Sequence, residues 1–147
     1  MGCKEVETVT EQTVADMIAQ VPMFSNCTKR ELSVIVRAAK VVNHRKGAVI
    51  AHEGQRGLGL FVIMDGTCSV TIGGLPKVTL GPGDFFGEIA LLDGGPRTAT
   101  VTALTDVRLA GITEWVFRGL LQEHPSIAIR TLESVAGRLR SVAKEPV

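Results

Sequence analysis

Surplus charge is almost absent from this chain. Its 147 residues carry 16 lysines and arginines against 15 acidic residues. That balance argues against the basic surface a protein spreads along a nucleic acid, and remains compatible with a small anion held by one or two basic groups. Paired cysteines are also missing. Cys3, Cys27 and Cys68 form no Cys-x-x-Cys pair and have no histidine at zinc spacing, so they read as reduced thiols in a cytoplasmic setting. No apolar run reaches the length of a membrane span, and no charged-then-apolar leader opens the chain, so neither a membrane partner nor export is expected. Met1-Gly2-Cys3 resembles an acylation start, but Val6 stands where that pattern wants serine or threonine.

Catalytic groupings are lacking too. His44, His52 and His124 form no His-x-His pair with a following glutamate, which argues against a metal-dependent enzyme. Ser25, Ser69 and Ser126 sit in no Gly-x-Ser-x-Gly elbow, and Cys68 has no evident base and orienter. The expectation is a protein without catalytic activity and without a metal or cofactor.

What is present is 45% apolar residues, enough for one compact domain over residues 1–147. Helical texture covers about 8–40. Val14, Met17 and Ile18 recur at helical spacing up to Pro22. Thr28 with Glu31 then forms a capping box ahead of an apolar stripe at Leu32, Ile35, Val36 and Ala39. From about 41 to 112 the texture changes to short apolar or alternating runs, at 48–51, 60–64, 68–72, 78–80, 101–103 and 107–112. Asp65-Gly66 and Gly73-Gly74 are hairpin signals between them. Helical periodicity returns over about 113–143, first with Trp115, Val116, Leu120 and Leu121, then from Pro125 onward. Phe24, Trp115 and Phe117 read as core or helix-packing residues. The expected fold is α+β and mainly β: a jelly-roll-like β-roll flanked by N-terminal helices and two C-terminal helices.

One segment, 81–101, carries the chemistry. A glycine-rich turn leads through Phe85, Phe86 and Gly87 into a short helix-forming run, Glu88 to Leu92. A second turn follows, and then Arg97 just ahead of Thr98-Ala99-Thr100-Val101. Free N–H groups at such a helix start favour an anion. Gly87 permits close backbone approach, and Arg97 adds a charge-assisted grip on phosphate oxygens. Glu88 would repel a phosphate, but it suits a hydroxyl donor such as that of a ribose. Anion plus hydroxyl points to a nucleotide.

The run Phe86-Gly87-Glu88-Ile89-Ala90-Leu91-Leu92, followed by Pro96-Arg97-Thr98-Ala99-Thr100-Val101, closely resembles the phosphate-binding cassette of cyclic-nucleotide-binding domains. That family includes catabolite-activator-type regulators, kinase regulatory subunits and nucleotide-gated channels. Residues 44–50 resemble its opening strand, 61–66 its central hairpin, and His124-Pro125 the start of its closing helix. The chain departs from the pattern at 55–59, where the family often carries acidic residues.

The resemblance implies that Arg97 binds the exocyclic phosphate oxygens and Glu88 the ribose 2′-hydroxyl. Backbone N–H groups around Ile89, Ala90 and Ala99 would complete the cradle beside Gly87. Thr98 is placed to contact the base, with cAMP favoured over cGMP as the ligand. The competing readings are a β-roll with a vestigial pocket serving protein interaction, and a regulatory fragment of a larger channel, kinase or transcription regulator. Taken alone, Arg97 reads as a surface arginine paired with Asp84 or Asp93. The chain ends at Val147 with no output segment, so an unidentified effector protein or domain is expected. Ala128, Leu132, Val135, Leu139 and Val142 are spaced four and three apart. That seam fits either a homodimer through the C-terminal helix or a cover over the chain's own roll.

Overall fold

The computed structural model describes residues 11–56, 59–87, 91–92 and 95–142. The helical beginning and end expected at 8 and 143 lie outside the described residues. Helix α1 is Glu11–Ala19, followed by a 3-10 turn at Pro22–Phe24 and by α2, Lys29–Ala38. The capping box is formed in full. Thr28 N–H donates to Glu31 Oε1 at 2.8 Å, and Glu31 N–H donates to Thr28 Oγ1 at 3.1 Å, so both ends of the first turn are satisfied.

Among the described residues eight strands follow: β1 Lys40–His44, β2 Val49–Ala51, β3 Gly59–Asp65, β4 Cys68–Ile72, β5 Leu75–Leu80, β6 Phe85–Phe86, β7 Thr100–Ala103 and β8 Val107–Thr113. They pair antiparallel in two four-stranded sheets, in the orders β1-β8-β3-β6 and β2-β7-β4-β5. The chain closes with α3, Glu114–Glu123, and α4, Pro125–Val142. This is a mainly β roll flanked by helices. Among the described residues, no helix is long and apolar enough to cross a membrane. Two strands were not anticipated: β1, in a polar stretch, and β6, whose two phenylalanines pair with Phe61 and Val62 of β3.

Strand alternation builds two cores. On β3 and β8, Leu60, Val62, Ala110 and Ile112 face the helices and pack with Ile18, Phe24, Ile35, Phe117 and Ile127. Their neighbours Ile63, Val107 and Leu109 face into the roll, against Ala51, Cys68, Phe86, Val101 and Ala103. Both faces of β3 are therefore covered, which is why it reads as an unbroken apolar run.

Phe24 and Phe117 pack with ring centroids 5.9 Å apart. Trp115 departs from the core role expected of it: it is 86% exposed. It lies two residues before the fully buried Phe117, about 200° around the helix. The α4 seam also falls on the outer side. Ile127, Thr131 and Ser134 are buried, whereas Leu132 and Leu139 are 67% and 66% exposed. The side chain of Val142 lies outside the described residues.

Candidate ligand pocket

A cavity of about 270 Å³ opens within the roll. One wall is apolar and comes from the β2-β7-β4-β5 sheet, with Ala51, Val70, Val78, Leu80 and Val101. The rest of the lining consists of Phe85, Phe86 and Gly87 and of the arm Pro96-Arg97-Thr98-Ala99. Phe85 and Phe86 therefore line the cavity, as well as joining β6 to the sheet.

The arm is fixed by its backbone. Arg97 N–H donates to Gln55 O at 2.7 Å, Gly54 N–H donates to Arg97 O at 2.8 Å, and Pro96 bridges Arg56. Both main-chain polar groups of Arg97 are thus engaged. Its side chain runs inward and is only 8% exposed. Nη2 donates to the Gly59 carbonyl at 2.9 Å. Gly87, at φ +93°, faces the same group: a β-carbon there would overlap both the Gly59 oxygen and Arg97 Nη1. The glycine is required twice, by backbone conformation and by space.

The electrostatics are one-sided. Among the described residues, no carboxylate forms an ion pair with Arg97. Asp84, one partner considered for it, instead accepts from Gly81 N–H at 2.8 Å; Asp93, the other, lies outside the described residues. Burial lowers the pKa of the Arg97 guanidinium from the ordinary arginine value, yet arginine remains charged at any working pH. Among the described residues the guanidinium's one hydrogen-bond acceptor is a neutral carbonyl, and a buried cation so placed carries a desolvation cost that a bound anion would relieve.

The structure thus brings together Gly87, Arg97, Thr98 and Ala99 around one cavity. Glu88, Ile89 and Ala90 lie outside the described residues. On their far side, Leu91 and Leu92 are helical, and Leu91 N–H donates to Gly87 O at 3.0 Å. Sequence reasoning did not single out the apolar wall, nor the Gly59 carbonyl. The alternation at Cys68, Val70 and Ile72, and at Val78 and Leu80, was the available signal for the wall, because it sends one set of side chains into the roll.

Comparison with known proteins gives the family. Residues 41–124 match the cyclic nucleotide-binding domain, and the chain belongs to that family. It is 40% identical over 112 residues to a cyclic nucleotide-gated potassium channel of Mesorhizobium japonicum, covering 76% of this chain and 31% of that protein. A cAMP-dependent protein kinase regulatory subunit of Colletotrichum orbiculare is 35% identical over 118 residues, covering 79% of this chain and 30% of that one. The N-terminal domain of a transcriptional regulator from Streptomyces coelicolor A3(2) superposes with a TM-score of 0.82 at 28% identity, covering 90% of this chain and 98% of that one. The chain spans about a third of the length of these two curated relatives.

Proposed function

We propose that this domain is a non-catalytic sensor that binds a cyclic nucleotide in the cavity of the roll, with cAMP preferred to cGMP. Arg97 holds the exocyclic phosphate oxygens, and Glu88 accepts from the ribose 2′-hydroxyl. Backbone N–H groups around Gly87, Ile89, Ala90 and Ala99 complete the anion site. The purine lies along Val70, Val78 and Leu80, with Thr98 at its edge. The observation that carries this reading is the buried guanidinium of Arg97, which faces an open apolar cavity with no carboxylate of the described residues beside it. The names of the relatives, a nucleotide-gated channel and a cAMP-dependent kinase subunit, support the regulatory role.

The effector is a separate protein or a further domain, and the module works where cytoplasmic nucleotide reaches it. Calorimetric titration with cAMP and with cGMP tests the reading directly. Saturable binding of one molecule per chain, tighter for cAMP, is the expected result. Heat-silent titrations together with an unchanged melting temperature at millimolar nucleotide would establish a vestigial pocket instead.

A further inference from the structure

Glu53 lies just before the segment that fixes the arginine arm. Its N–H donates to Thr100 Oγ1 at 3.0 Å, and its carboxylate Oε1 accepts from Gly73 N–H at 2.9 Å. The next residues, Gly54 and Gln55, hold the backbone of Arg97. Gly73 is the tip of the β4–β5 hairpin, where Gly73 and Gly74 take φ of +59° and +80°, the left-handed pair of a tight two-residue turn. One short segment therefore ties the anion arm to the hairpin that supplies Val70, Val78 and Leu80 to the opposite wall.

The tie falls where the hairpin's own pairing is irregular. Among the described strands β5 lies at the sheet edge and pairs with β4 alone. Its register shifts between Val70 and Thr71, whose partners are Val78 and Pro76, so Lys77 is the extra residue of a bulge. Pro76 has no N–H to give the ladder. β4 is held on β7, which continues from the arm, but the β5 side of the hairpin rests on an irregular ladder, and a charge-assisted bond from Glu53 to the hairpin tip adds a second constraint there.

We propose that Glu53 is a positioning residue of the ligand site, holding the hairpin wall at a set distance from the Arg97 arm. The proposal rests on reading the cavity as a cyclic-nucleotide site. Glu53 touches no ligand; it acts through Gly73 and the wall. Its effect therefore falls on the part of the ligand that meets Val78, and not on the phosphate.

The test uses the full chain and four proteins: wild type, Glu53→Ala, Val78→Ala and the double variant, with Glu53→Gln as the conservative control. Dissociation constants for cAMP are measured by calorimetry, and exchange of the Gly73 amide by NMR without nucleotide. Glu53→Ala should bind cAMP about three- to tenfold more weakly, as expected for one lost hydrogen bond, and its Gly73 amide should exchange faster. Glu53→Gln keeps an oxygen acceptor and should stay within about twofold of wild type. The double variant should lose less than the product of the two single losses, because both changes act on one wall. Unaltered affinity in Glu53→Ala, unaltered Gly73 exchange, or losses that multiply would each overturn the proposal. A wild-type protein that binds no cyclic nucleotide is a different result: it overturns the nucleotide reading, and this inference falls with it.

Discussion

Arg97→Lys keeps the charge of the arm and removes its planar fork. In the structure one nitrogen, Nη2, is engaged by the Gly59 carbonyl, and the other, Nη1, packs over Gly87. Arginine can stay seated on Gly59 and still offer its remaining N–H groups to phosphate, whereas a lysine ammonium is a single point that must divide itself. Truncating one partner of a buried charge pair costs about 2–5 kcal/mol, or roughly 30-fold to several thousand-fold in affinity. Arg97→Ala should span that range for cAMP, with Arg97→Lys at its lower end.

The folded state should respond differently. The arm is fixed through its backbone by Gln55 and Gly54, and no carboxylate of the described residues is orphaned when the guanidinium goes. Relief of its desolvation offsets the lost packing, so stability without nucleotide should change by no more than about 1 kcal/mol. Calorimetry supplies the affinities and thermal melts the stabilities. Binding within a few-fold of wild type in Arg97→Ala would refute the reasoning. So would a variant that melts far below wild type, because Arg97 would then serve the fold and not the ligand.

Three further outcomes are expected. A 2′-deoxy cyclic nucleotide should bind wild type about 1–3 kcal/mol more weakly than its ribo form; Glu88→Ala should bind the two almost equally, and a ribo preference that persists in titrations of the variant would remove Glu88 from the sugar. Thr98→Ala should cost cGMP about 1 kcal/mol and leave cAMP nearly unchanged, whereas equal losses in parallel titrations would assign Thr98 to the phosphate or the fold. Glu31 is held below its ordinary carboxylate pKa, first by a hydrogen bond from Ser126, then by the Thr28 backbone N–H, with Arg130 adding a smaller pull against the effect of burial. Its contribution to stability is thus fully present above the unfolded pKa of about 4.3 and is lost as pH falls through the lower folded value. Glu31→Gln should flatten that part of a chemical-denaturation pH series, and an unchanged slope would exclude Glu31 as its source.

The legible parts of this fold were those written in contiguous residues. Thr28 and Glu31 announce a helix start because the capping box closes within one turn, and Asp65-Gly66 and Gly73-Gly74 announce hairpins because the backbone there needs glycine. The arm could be read for the same reason: Gly87 and Arg97 lie within one short segment whose spacing carries the resemblance. The apolar wall was less legible. Val70, Val78 and Val101 meet only through strand pairing, and the bulge at Lys77 decides which β5 side chains face inward. Helix faces were ambiguous at their edges. Trp115 is apolar and helical, yet the buried side of α3 centres on Phe117. The leucine seam of α4 is regular, yet Ile127, Thr131 and Ser134 form its buried side. Periodicity finds an apolar stripe; tertiary packing chooses which stripe to cover.

The open side of β5 has a consequence for self-association. An edge strand offers unpaired N–H and C=O groups to any passing chain, and this one is exposed along most of its length, with Leu75 63% exposed. Pro76 withdraws a donor from that row, and Lys77 places a charge in the middle of it and breaks the register with its bulge. Those are the devices by which soluble sheets resist growing by one more strand. Two adjacent residues thus keep the outer wall of the cavity from recruiting a second molecule edge to edge. Pro76→Thr with Lys77→Val would join Leu75 to Leu80 into one flat apolar strand beside the pocket mouth.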